Sequence, residues 1–183
     1  MIKRNVAIII IFLILIGYFT FGSSYVNSEK NGFIKGNSGS INGNVFPVIV
    51  NFFDLIVSKF ENDGHEIQLT IPVSEISTDN WMRDVHMRIT VLNASKGDII
   101  FNAHYMGNLE DGFPEGKYDL IGNLTINGIT KSNRVNLNFY RKNGKDFVKG
   151  SALVSLENYN IIAPGLGGMK VIDKISIIID LVL

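Results

Sequence analysis

The sequence predicts an all-β, antiparallel domain with one short helix, and two kinds of observation support this. Residues 66–73 alternate between apolar and polar side chains, which is typical of a strand with one buried face. The dipeptides Asn127-Gly128 and Asn143-Gly144 separate further alternating runs and are typical of tight turns. Short strands joined by such turns favour an antiparallel all-β domain.

The strands are predicted with different regularity along the chain. Residues 25–44 are rich in Gly, Asn and Ser and indicate loose chain, although Phe33 and Ile34 could begin a strand there. Residues 45–60 are apolar enough for a buried strand or hairpin, and their periodicity alone does not exclude a helix. Further strands are predicted at residues 66–73, 98–106, 118–126, 134–141, 147–156 and 171–183.

The short helix is predicted within residues 77–91. Its first residues, 77–79, are of types that cap helices well. Its apolar residues recur at helical spacing and are Trp81, Met82, Val85 and Ile89. We expect Trp81 to pack on the rest of the domain and Asp79 to pair with Arg83, one turn later.

The N-terminus has the pattern of a targeting segment. Lys3 and Arg4 precede residues 6–21, which contain no charge. A basic start followed by an apolar run predicts a signal peptide, and an uncleaved anchor helix is the alternative. We therefore divide the chain into a signal or anchor at 1–24 and one domain at 25–183. Cleavage predicts a periplasmic or secreted protein, and retention predicts a membrane-anchored protein that faces the extracytoplasmic side.

Composition and motifs exclude several function classes. The formal net charge is zero, which gives no electrostatic basis for binding nucleic acid. The chain contains no cysteine, so disulfides, zinc–thiolate sites and thiol nucleophiles are excluded. The histidines, His65, His86 and His104, lack the close spacing of a metal site, and no Gly-x-Ser-x-Gly motif is present. We predict no metal, no cofactor, no catalytic residue and no enzymatic activity.

Three blocks of the sequence resemble one known family. Residues 76–88 (ISTDNWMRDVHMR) resemble the Ser-x-x-Thr…Arg-Asp-x-His-Leu-Arg signature of the YceI-like family. Residues 122–131 (GNLTINGITK) are similar to its Gly-x-Leu-Thr-Ile-x-Gly-x-Thr-Lys block, and residues 168–177 (GMKVIDKISI) resemble its closing strand. The blocks occur in the family's order and at about its spacing.

The resemblance implies a lipocalin-like barrel of about eight strands, in an exported protein that holds an isoprenoid or other amphiphilic lipid. Such a carrier or store would need an apolar cavity, since each buried CH₂ contributes about 0.8 kcal/mol. The candidate lining residues share the apolar faces of the strands and are Leu69, Ile71, Ile99, Phe101, Leu124, Ile126, Leu137 and Phe139. The same residues could instead fill a closed core.

One dense polar and aromatic group lies in the predicted helix. Trp81, Arg83, His86 and Arg88 are candidates for a mouth that positions the head group of a quinone or diphosphate. The interpretation favoured at this stage is instead a capped helix with a purely structural role.

Two alternative functions remain open at this stage. One is a membrane-anchored interaction module. The other, with less support, is an enzyme that acts on a lipid or quinone through His86, Asp84 or His104. The expected partners are an apolar lipid, such as a polyprenyl chain, a quinone or a fatty lipid, and the membrane if the N-terminal segment is retained. A homodimer is also left open.

Overall fold

A computed structural model describes residues 23–27, 32–40, 45–60, 64–107, 109, 113–162, 165–166 and 169–182. The predicted signal or anchor therefore lies outside the described residues, except for Ser23 and Ser24, which belong to the first strand. Within the described ranges, no helix has the length and apolar character needed to cross a membrane.

The described residues form an all-β, antiparallel structure with one short α-helix, which confirms the predicted fold class. Twelve strands are present in these ranges. Their bounds are β1 Ser23–Asn27, β2 Gly32–Ser40, β3 Val45–Val50, β4 Asp54–Phe60, β5 Gly64–Ile71, β6 Ile76–Ser77, β7 Ile99–Tyr105, β8 Gly116–Ile126, β9 Ile129–Lys142, β10 Lys145–Ser155, β11 Gly165–Leu166 and β12 Met169–Val182. The helix α1 spans Trp81–His86 and continues as one π-helical turn, Met87–Val91.

The strands form one sheet in the order β1-β4-β5-β7-β8-β9-β10-β12-β2-β3-β6, with β11 beside β12. Among the described strands this hydrogen-bonded path is open, and β1 and β6 are its two ends. The predicted closure into a barrel of about eight strands is therefore not found. The end at β6 is short, because only Ile49 and Val50 of β3 pair with it.

The sheet nevertheless curls, because a short connection joins β3 and β4, which lie near opposite ends of the strand order. β3 and β4 are separated by residues 51–53 alone, so their adjoining ends are within about 15 Å. In a flat sheet, the eight interstrand steps between them would place them roughly 40 Å apart. The backbone N–H of Asn51 also donates to the carbonyl of Glu75, just before β6, over 2.8 Å. The chain thus brings the two ends of the sheet together and wraps its apolar face inward.

Two expectations for the N-terminal part were wrong. Residues 45–60 form two strands, β3 and β4, that lie far apart in the strand order rather than as one strand or a hairpin. Residues 32–40 form a strand of nine residues, although only its start, at Phe33 and Ile34, was expected within a stretch interpreted as loose chain. β2 pairs with β12 on one side and β3 on the other, and these two ladders outweigh the preference of Gly, Asn and Ser for turns.

Candidate functional site

The inward faces of the curled sheet enclose a cavity of about 780 Å³. This volume lies within the usual range for small-molecule sites, roughly 300–1,000 Å³. All eight residues expected to line a cavity do line it: Leu69, Ile71, Ile99, Phe101, Leu124, Ile126, Leu137 and Phe139. The side chains therefore do not fill the interior completely, and contact of these residues with a ligand stays a prediction.

Two glycines allow large side chains to lie flat along the wall of the cavity. A Cβ at Gly122 would be 2.7 Å from Cζ of Phe101, and one at Gly150 would be 2.6 Å from Cδ2 of Leu137. Real Cβ atoms do not approach other atoms so closely, so the ring and the leucine occupy the place of the missing side chains. These contacts place Phe101 and Leu137, which both line the cavity, directly over the two glycines.

The cavity reaches the surface at α1. Among the described lining residues, those that are also exposed are Asn80, Met82, Arg83 and His86. All four belong to α1 or to its N-cap, Asn80, whose Oδ1 accepts a hydrogen bond from the backbone N–H of Arg83 at 3.1 Å. We call this group the mouth. The N-cap itself had been expected within residues 77–79.

The predicted head-group residues occupy two different environments. Arg83 and His86 belong to the mouth, whereas Trp81 and Arg88 do not line the cavity. Arg88 donates from Nη2 to the carbonyl of Ile76 at 2.9 Å and from Nε at 3.2 Å, and so ties the helical segment to β6. Arg83 also donates from Nη2 to the carbonyl of Thr78 at 2.8 Å.

The expectation that Trp81 packs on the domain was wrong, since 74% of it is exposed. Val85 and Ile89, one and two turns later, are exposed as well. The helical spacing was recognised correctly, but the opposite face turns inward. That inward face contains Asp84, which is buried, and Met87, which lines the cavity.

A network of hydrogen bonds around Asp84 explains this orientation. Its Oδ1 accepts from both the N–H and the hydroxyl of Thr78, each at 2.6 Å, and its Oδ2 accepts from the hydroxyl of Ser77 at 3.0 Å. Burial alone would raise the pKa of Asp84, but these hydrogen bonds and nearby Arg88 outweigh it and lower the pKa. Asp84 therefore remains ionised and fixes α1 against the strand before it.

The three candidate acid–base residues do not share one place. Asp84 is engaged in the network with Thr78 and Ser77, and His86 is at the mouth. His104 is exposed on β7 and, like Asn102, lies on the outward face of that strand. Phe101 and Ala103 alternate with them and face inward. No cluster of three or more His, Asp or Glu side chains that could hold a metal occurs within the described ranges.

One polar residue of the wall was missed at the level of sequence. Asn133 lines the cavity on β9, where it precedes Val135 and Leu137 on the same face. Its Nδ2 donates to the carbonyl of Leu153 on β10 at 3.2 Å, while its Oδ1 is buried without a hydrogen-bond partner among the described residues. The alternation of β9 could have placed it, since a residue two positions before Val135 faces the same way.

The opposite end of the cavity is aromatic. Phe113 and Phe139 line it and stack, with ring centroids 4.2 Å apart and planes 10° apart. Tyr118 meets Phe139 edge-on at 5.6 Å, and Tyr105 lies 6.0 Å from Phe113 and 5.9 Å from Tyr118. We call these four residues the aromatic floor.

A model of the YceI-like domain matches residues 27–183, which include every strand from β2 to β12. The chain belongs to the YceI-like family. This confirms the resemblance seen in the three sequence blocks. A comparison with curated proteins gave no match.

Solved structures show the same fold as this YceI-like chain. A polyisoprenoid-binding domain from Saccharophagus degradans, implicated in plant cell wall breakdown, matches with a TM-score of 0.68 at 15% identity, over 88% of this chain and 97% of that one. BcnA of Burkholderia cenocepacia matches with 0.63 at 19% identity, over 82% and 96%. The YceI protein of Campylobacter jejuni matches with 0.51 at 19% identity, over 72% and 80%.

Proposed function

We propose that this YceI-like domain is an exported, non-enzymatic lipid-binding protein that holds an isoprenoid or other amphiphilic lipid as a carrier or store. The observation that carries the proposal is the apolar cavity of about 780 Å³ with polar side chains gathered at its mouth. An amphiphile has the same arrangement, with one polar end and a long apolar tail.

Burial of the tail supplies the affinity. Each CH₂ removed from water contributes about 0.8 kcal/mol. Association and ordering of a flexible chain cost several kcal/mol in return. Only a long tail gives a useful surplus, so a prenyl chain suits this cavity better than a small apolar molecule. The relative from Saccharophagus degradans, described as polyisoprenoid-binding, supports the same ligand class.

The polar head is proposed to lie at the mouth, beside Arg83 and His86. Both side chains are exposed and line the cavity. A guanidinium group pairs well with a phosphate or a carbonyl oxygen, so a diphosphate or a quinone would suit. Arg88 contributes indirectly, since its guanidinium group holds the helical segment on Ile76.

Export is proposed from the N-terminus. Lys3 and Arg4 followed by the uncharged run 6–21 support a signal peptide, and retention of that run would give a membrane-anchored protein on the extracytoplasmic side. N-terminal sequencing and fractionation of the mature protein distinguish the two. A mature chain that begins near Ser23 and is released from cells supports export, whereas a membrane-bound chain that retains Met1 contradicts cleavage.

Native mass spectrometry of the mature protein, followed by analysis of the extracted lipid, tests the binding function. We expect a bound prenyl or fatty lipid. An empty protein that also fails to take up added prenyl quinone would contradict the proposal and favour a membrane-anchored interaction module.

Two matched variants of β10 sharpen this test. Ala152 lines the cavity, while its neighbour Ser151 is exposed on the outer face. We expect Ala152→Trp to lose most of the bound lipid, because the ring fills cavity volume, and Ser151→Trp to retain it. Equal lipid content in the two variants, both folded, would mean that lipid binds elsewhere.

A further inference from the structure

The aromatic floor lies at the end of the cavity remote from the mouth. The turn between β8 and β9 lies beside the 3₁₀ turn Ala94–Lys96, which follows the helical segment, because Lys96 Cβ is 3.6 Å from where a Cβ of Gly128 would be. The floor is at the other end of β8, where Gly116 pairs with Phe139. The eleven residues of β8 separate the two ends by roughly 33 Å along the strand, at about 3.3 Å per residue.

Phe113 lies at this remote end. It is half-buried and lines the cavity, and its ring stacks on Phe139. The lining residues that are exposed all belong to the mouth, as far as the described residues show. A tail that enters at the mouth and runs along β8 therefore meets the ring of Phe113 at the far end of the described lining.

The floor is held in place by bonds on both sides of β8. The hydroxyl of Tyr118 donates to the carbonyl of Pro114 at 2.9 Å, directly after Phe113. The side chain of Glu115 accepts from the backbone N–H of Arg141 at 3.2 Å. These bonds and the stacking on Phe139 hold the ring of Phe113 at the remote end of the cavity.

From this geometry we infer that Phe113 sets the longest lipid tail that the cavity accepts. The inference rests on the proposed lipid-binding function and adds a residue that determines its length specificity. Removal of the ring extends the apolar space beyond the floor, and a larger ring shortens it. Tails that fit entirely in the wild-type cavity do not reach the ring and keep their affinity.

The test is a competition assay on the delipidated protein, with a series of prenyl quinones whose tails increase by one isoprene unit. For Phe113→Ala we expect the longest accepted tail to increase by at least one unit, with about tenfold tighter binding of the first tail that the wild type rejects. For Phe113→Trp we expect the limit to become shorter. If the alanine variant does not fold, Phe113→Leu replaces it in the assay.

Tyr140→Ala is the matched control. Tyr140 also stacks on a phenylalanine, Phe147, with centroids 5.3 Å apart, but it does not line the cavity. We expect the Tyr140→Ala variant to bind the same range of tail lengths as the wild type. An unchanged profile in folded Phe113 variants that still bind would overturn the inference and leave the proposed function intact. A wild-type protein that binds no member of the series would overturn both.

Discussion

The two ends of the cavity are built from opposite chemistry. At the mouth, a buried carboxylate, Asp84, is surrounded by hydroxyl and backbone donors, and Arg83 and His86 reach solvent. At the floor, rings contact rings, led by Phe113 and Phe139. The first end is stabilised by hydrogen bonds to a carboxylate, and the second by contacts between aromatic rings together with the hydrogen bonds of Tyr118 and Glu115. This difference favours one orientation of the proposed amphiphile, with its head at the mouth and its tail toward the floor.

The largest expected effect is at the floor. Phe139 is buried and contacts both Phe113 and Tyr118. We expect Phe139→Ala to lower the free energy of unfolding by about 3 kcal/mol, because such truncations remove packing that the surroundings do not restore. Urea denaturation measures this. A loss as small as that of Tyr140→Ala, on the outer face, would show that the floor does not depend on its stacked rings.

The next effect is at the mouth. Asp84→Ala leaves the N–H of Thr78 and two hydroxyl groups without their carboxylate partner. We expect the free energy of unfolding to fall by about 2 kcal/mol. Asp119→Ala is the matched control, because Asp119 is exposed and pairs with Arg134 only at 3.5 Å. Similar losses in the two variants would contradict a structural role for Asp84.

The mouth also predicts a dependence on pH that the floor does not share. The folded-state pKa of Asp84 is lowered from its ordinary value of 3.8. Its contribution to stability is therefore complete above pH 3.8 and is lost as the pH falls through the lower, folded-state pKa. We expect Asp84→Asn to flatten the acid limb of the stability profile, measured by denaturation across acidic pH. Asp173 and Asp146, whose pKa values are also lowered, keep part of that limb in the variant.

A smaller expected effect distinguishes recognition of the ligand's head group from binding of its tail. His86→Ala should weaken binding of a prenyl diphosphate a few-fold while leaving binding of the matching prenyl alcohol unchanged, because only the first presents an anion to the mouth. Competition assays with the two ligands measure the difference. If both ligands lose affinity equally, His86 acts on the shape of the mouth rather than on the head group.

The smallest expected effect concerns Trp81. Because 74% of this residue is exposed, Trp81→Ala should change the free energy of unfolding by less than about 0.5 kcal/mol. Thermal or urea denaturation checks this. A loss comparable with that of Phe139→Ala would mean that the tryptophan packs on the domain after all.

The sequence predicted the walls of the cavity better than its ends. Alternation along a strand indicates which side chains face inward. Lining residues such as Phe101 on β7, Leu124 on β8 and Leu137 on β9 could therefore be predicted from the sequence. Helical spacing alone does not say which face of α1 is buried, because the network of Asp84 depends on Thr78, which precedes the helix. The start of β2 was recognised at Phe33 and Ile34, but its full length was not, because its ladders form with strands distant in the chain.

The path of the sheet could not be predicted from periodicity at all. Residues 51–53 look like a simple link between apolar segments, yet they join strands at opposite ends of the order. Phe113 was also missed, because it lies outside any alternating run and its role depends on Phe139, which follows much later in the chain.

Trp81 also has a spectroscopic consequence. It is the single tryptophan of the chain, and its neighbours on both sides, Asn80 and Met82, belong to the mouth. The intrinsic fluorescence of the whole protein under tryptophan-selective excitation therefore reports on one place. The emission maximum of Trp81 and its accessibility to a soluble quencher therefore report on changes at the mouth. No label is needed, and the remote floor does not contribute to the signal.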